Sequence, residues 1–168
     1  MPISLHSTAT MTFLPMLKAL SHVLAKAEAY TAEKKIDPSV LLNDRLAPDM
    51  LNLTRQVQIA CDHAKGAMYR VCEETPPALA DTETTFAELQ ARIAATIKLI
   101  EDFPAEKLAG RDDMTFQVKF PWATMSFTGQ GFLLGYVIPN FYFHVTTAYA
   151  ILRHNGAPLG KADYFGRG

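Results

Sequence analysis

The sequence predicts an all-α protein, a four-helix bundle with a small β-hairpin between its third and fourth helices. Two patterns carry that prediction. Four long stretches repeat apolar residues at three- and four-residue steps, the period of an amphipathic helix. One short stretch between the last two alternates residue by residue, the period of a half-buried strand. With 168 residues, 49% of them apolar and 20% charged, the chain suits a single domain over residues 1–168 with a packed core.

Helix one covers residues 9–35. Phe13, Leu17, Leu20, Leu24 and Ala27 form its stripe, and Thr10 or Thr12 caps it. Pro15 then falls near the first turn, where a missing N–H does little harm. The connection "IDPSVLLNDRLAPDM" is irregular, with a short turn over residues 40–42. Helix two covers residues 49–74, with Leu53, Val57, Ala60, Ala64, Met68 and Val71 as its stripe, and Pro76–Pro77 lie beyond its end. Helix three covers residues 85–103. Thr85 followed by Glu88 fits a capping box, Phe86, Leu89, Ile93, Ile97 and Ile100 face the core, and Pro104 stops it.

The period then changes. In "DDMTFQVKFPWATMSFTG", Thr115, Gln117 and Lys119 point one way and Phe116, Val118 and Phe120 the other, with "ATMSF" as the partner strand. Helix four covers residues 129–155 and ends before Gly156 and Pro158. Its stripe is Val137, Phe141, His144, Ala148 and Ile151. The tail "APLGKADYFGRG" is expected to lie over the surface.

Bulk properties exclude several classes. A net charge of −1 with scattered cations lacks the footprint of a nucleic-acid binder. Phe120 to Leu152 holds no Asp, Glu, Lys or Arg, yet Pro139, Asn140 and His144 interrupt it, so it reads as a buried helix with an apolar contact surface rather than a membrane span. That surface predicts a homodimer, the commonest oligomer. Cys61 and Cys72 are eleven residues apart on one helix, ~16 Å along its axis, too far for a disulfide. Reduced thiols and no evident signal segment in "MPISLHSTATM" point to a cytoplasmic setting. No P-loop, dinucleotide glycine pattern, HExxH, CxxC, nucleophile elbow or EF-hand loop is present.

The candidate site is on helix four. Tyr136, Asn140 and His144 stand at four-residue steps and share a face, with Pro139 among them. A proline there removes the donor to the Gly135 carbonyl and predicts a kink. His144 is either a core histidine bonded to a backbone carbonyl or part of a binding pocket. His154 lies ~15 Å further along and suits the helix C-terminus with Arg153. His63 on helix two points either toward helix four or into solvent. Its neighbour Asp62 projects ~100° away, so the two form no ready dyad.

"FYFHVTTAYAILRHNGAPLGKADYFG", with "LAPDM", "TRQVQIACDHAKGA" and "MSFTGQGFLLGYVIPN", resembles an uncharacterised bacterial and fungal family of the DinB-like, YfiT-like metalloenzyme superfamily. The resemblance spans nearly the whole chain. It implies a four-helix bundle, often dimeric, related to metal-dependent thiol transferases, with no established reaction of its own. The superfamily's metal site takes one histidine from helix two and an H-x3-H pair from helix four, just before a Leu-Arg-x-x-Gly segment. His144 matches the second of that pair, while the first falls on Asn140. The helix-two position falls near Gln58 or Ile59, with His63 a turn later.

An amide is a weak ligand for zinc or nickel. The sequence therefore predicts no tightly held metal and no cofactor, and a pocket in which His144, Asn140, Tyr136 and His63 bind a small organic molecule. Two alternatives are a non-catalytic homodimeric module, and a metal-dependent transferase or hydrolase with zinc or nickel on His63, His144 and Asp62 or Asp49.

Overall fold

The computed structural model describes residues 4–167. The first three residues of the stretch read for a signal segment lie outside it. The molecule is mostly helical, with one two-stranded antiparallel hairpin.

Helix α1, Leu5–Lys34, starts a turn earlier than its apolar stripe suggests. Ser4 and Ser7 form the capping box, and Thr10 bonds back to the His6 carbonyl at 2.9 Å instead of capping. Pro15 is consequently inside the helix. The carbonyl it leaves without a donor belongs to Met11, whose side chain is on the exposed face, so solvent can serve it. The connection holds a real helix, α2, Pro38–Asn43, with Asp37 as its cap and Pro38 in its first turn.

Helix α3, Leu53–Val71, is capped by Asn52, three residues after the Asp49 start read from the sequence. All six residues of its stripe are buried. Helix α4, Phe86–Glu101, begins on the Thr85–Glu88 capping box, and Ile97 is the one stripe residue only partly buried. A single 3-10 turn, Ala105–Leu108, follows.

Strands β1, Thr115–Lys119, and β2, Thr124–Thr128, pair with Phe116 opposite Phe127. The fourth helical run begins as α5, Gly129–Phe132, passes through a π-helical turn, Leu133–Val137, and continues as α6, Ile138–His154. The π turn ends at Val137, two residues before Pro139, where the sequence predicts a kink. A Cβ on Gly129 would sit 2.2 Å from the Arg111 carbonyl oxygen, so the run can start where it does only with glycine.

Helix α3 packs on α6 and α4, and α1 packs on α4 and α6. Phe13 of α1 meets Phe141 of α6 edge-on at 4.9 Å. Phe13, Phe86, Phe132 and Phe141 are among the fully buried side chains, each worth roughly 1.5–3 kcal/mol of burial.

Two segments outside these helices are pinned by charge. Arg92, its side chain 1% exposed, meets Asp62 at 2.9 Å, Asp81 at 3.0 Å and Glu83 at 2.9 Å, which ties the α3–α4 connection to both helices. The C-terminal segment does more than lie over the surface. It forms a short helix, α7, Lys161–Tyr164, whose buried Asp163 accepts from Lys26 at 2.7 Å. That bond, with the Gly160 amide, draws the Asp163 carboxyl down to about 2.

No helix among the described residues is long and apolar enough to cross a membrane. Cys61 is buried within α3 and Cys72 caps its C-terminus; both are free thiols.

Candidate functional site

Three polar residues of α3, Gln56, His63 and Arg70, are spaced by seven. Seven helical steps return to within ~20° of the starting direction, so they share one face. That face meets Tyr136 and His144 in antiparallel order. Gln56 bonds His144, and the His63 ring lies 5.8 Å from both the His144 and Tyr136 rings.

The polarity of the first contact follows from the network. Buried Gln56 donates its amide nitrogen to the Leu51 carbonyl at 2.9 Å, which leaves Oε1 facing His144 Nδ1 at 2.7 Å. A carbonyl cannot donate, so Nδ1 carries the proton and Nε2 keeps its lone pair. His144 is thus a half-buried histidine held by a side-chain amide, where the bland expectation was a backbone carbonyl. Burial lowers its pKa.

His63 faces α6 rather than bulk solvent. Its ring is near-parallel to that of His144, at 19°, with Tyr136 packed on its edge. Burial pushes the His63 imidazole down to about 4. His144 and the Arg70 cation add to the fall, and Asp62 opposes it. Both rings are therefore neutral at pH 7.

Tyr136 comes from the π turn and joins an aromatic cluster. Phe120, Phe127 and Phe132 surround it at 5.1, 5.7 and 5.7 Å. The hairpin thus supplies two rings, Phe120 and Phe127, to this cluster. Burial raises the Tyr136 phenol above its usual value, against the pull of Arg70. Asn140 does not reach a neighbouring element. Its amide nitrogen donates to the Tyr136 carbonyl, one turn back, at 2.7 Å.

These elements line a half-open cavity of about 190 Å³. Its apolar wall is Ile59, Phe120 and Phe132, and its polar wall is Asp62, His63, Arg70 and Tyr136. Two of the four residues read from the sequence, His63 and Tyr136, line it. His144 stands behind His63 as a support, and Asn140 is occupied within its own helix. Arg70 and Gln56 were not anticipated. Their seven-residue spacing from His63 was the available signal.

The donor set does not suit the metal that the superfamily resemblance implies. Among the described residues no group of three or more His, Cys, Asp or Glu side chains converges on a point. The carboxylate nearest the histidines, Asp62, is held by Arg92 at 2.9 Å and Lys65 at 3.0 Å. Asp49 is exposed, in the stretch before α3. Two imidazoles alone are one ligand short of a catalytic zinc site.

The chain matches, over residues 5–165, a family model described as a domain of unknown function, DUF1993. It is also similar to a solved DinB family member protein from Shewanella denitrificans. The identity is 47%, the likeness covers 96% of this chain and 92% of that one, and the TM-score is 0.88. No curated protein matches. The chain belongs to the DUF1993 family.

Proposed function

We propose, from membership of this DinB-related family, that the chain is one four-helix-bundle domain whose ancestral metal pocket now takes a small organic molecule. The cavity between α3, the hairpin and the π turn carries the reading. It is concave, mostly aromatic, and presents a few polar groups, the pattern of small-ligand sites. Its volume, about 190 Å³, is near that of a cavity of about 150 Å³ known to accept benzene. A ligand the size of a single ring with a small substituent fits.

His63 and Tyr136 orient the molecule by hydrogen bonds. His144 fixes the His63 ring from behind, and Gln56 fixes His144. The site works without a bound transition metal. Elemental analysis of gently purified protein returns far less than one zinc or nickel per chain; stoichiometric metal overturns the reading. In a fragment screen followed by NMR, hits shift the signals of His63 and Tyr136 and are lost on His63→Ala with Tyr136→Phe. A screen without such hits sinks it.

A second reading, a homodimeric module with no ligand, draws on the outer face of α6. Phe143 is 55% exposed and Tyr142 36%, beside Leu46 at 46%. Such a face suits self-association of a cytoplasmic protein, and pairing through it is compatible with the ligand site. Sedimentation at micromolar concentration shows a dimer that Phe143→Glu converts to monomer. A monomeric wild type removes the homodimer from both readings.

A further inference from the structure

We infer that Arg70 is the anchor for a carboxylate group on the molecule taken by this cavity, and that Gly66 exists in α3 to seat the guanidinium that holds it. The inference rests on the proposed small-molecule site and names the ligand class, a small aromatic or short-chain organic acid.

Four observations support it. First, Arg70 lines the cavity but has no ion pair or side-chain hydrogen bond among the described residues. The carboxylates nearby are not its partners: Asp62 is held by Lys65 and Arg92, Glu74 pairs with Lys107 at 2.7 Å, and Glu73, three residues on, is exposed and makes no ion pair with it. Second, the half-buried guanidinium lies along its own helix. It folds back over Gly66, where an added Cβ would lie 2.1 Å from its Nη1. Glycine in a helix interior costs about 1 kcal/mol against alanine, and here it makes room for the charge.

Third, the same cavity is lined by the aromatic rings of Phe120 and Phe132. A ring against those residues and a carboxylate on the planar guanidinium fork match the two walls. Fourth, the field is suited to an anion. Asp62, the one acidic group on the wall, is neutralised by two cations. His63 is held neutral, with the Arg70 cation contributing to that.

The test uses the full chain and pairs of probes of equal shape, benzoate with benzamide and butyrate with butyramide, read by NMR titration. Folding of each variant is checked by circular dichroism. A charge-assisted pair makes wild type prefer each acid over its amide by about tenfold or more. Arg70→Met reduces the acid to the level of the amide. Gly66→Ala keeps the charge but displaces the guanidinium, so it weakens the acids several-fold and leaves the amides unchanged.

If acids and amides bind alike in wild type, or if both variants keep the acid preference, Arg70 is not the anchor while the cavity reading stands. If neither acids nor amides bind, the small-molecule site itself fails and the anchor with it.

Discussion

Helix α3 carries a polar cluster on each side, built in opposite ways. Toward α4, buried Arg92 touches Asp62, Asp81 and Glu83, and Gln58 ties Glu83 at 2.7 Å to Arg55 at 2.6 Å. Three cations, Arg55, Lys65 and Arg92, meet three carboxylates, and only Arg92 Nε lacks a partner. Toward α6, Arg70 has no carboxylate, two histidines are neutral, and a cavity lies between them and the aromatic rings. The chain can surround a buried arginine with carboxylates, as it does 22 positions later in the same fold. The unmatched side therefore reads as a place left for a partner from outside, and the matched side as structure.

Substitutions test the contrast. The largest effect is expected at Arg92. Arg92→Met removes the buried cation that Asp62, Asp81 and Glu83 share, leaves each with its one remaining partner, Lys65, Arg55 or Gln58, and costs about 3 kcal/mol in urea unfolding. Arg70→Met changes stability by less than about 0.5 kcal/mol. Equal losses at the two arginines would erase the distinction.

Acid comes next. The folded pKa of His63, about 4, lies below the ~6.5 of an unfolded histidine. Between those values the unfolded chain binds the extra proton, so stability is full above about pH 6.5 and falls as pH drops toward 4, by up to about 3 kcal/mol. His63→Gln flattens that part of the stability profile. An unchanged slope would mean that the ring is not held neutral by the fold.

Gln56→Leu leaves His144 Nδ1–H without an acceptor and costs about 1–3 kcal/mol. It also frees the ring, so the His144 NMR signals report a changed tautomer balance. Smallest is Gly66→Ala, which raises stability by up to about 1 kcal/mol through helix propensity, while displacing Arg70. A loss of stability there would show that the guanidinium cannot move aside.

The helices and hairpin were legible because burial repeats. The stripes on α3 and α4 and the Phe116–Val118 alternation each leave a periodic trace, and the Thr85–Glu88 box is a local chemical signature. Boundaries were less so. Apolar periodicity is silent about Ser4 and Ser7, so α1 looked shorter and Pro15 safer than they are. The C-terminal segment looked superficial because its anchor, Asp163 to Lys26, joins residues 137 apart in sequence. At the site, His63 and Tyr136 stood out as polar residues on apolar faces. Arg70 did not, because a lone arginine near a helix end looks like dipole compensation. Its meaning comes from Gly66 one turn earlier and from the rings lining the same cavity, which only the folded chain brings together. Asn140 misled for a related reason: facing the right way does not guarantee a free amide.

The π turn at Leu133–Val137 has a bearing on how this chain tolerates changes of length. A π bulge is one surplus residue wound into an α-helix. Deleting a residue there leaves the hairpin side and the His144 side at their present mutual angle. Deleting one between Ile138 and His144 swings every later side chain by ~100° and parts His144 from Gln56. Insertions and deletions that drift into this run without unfolding the molecule should therefore collect within those five positions.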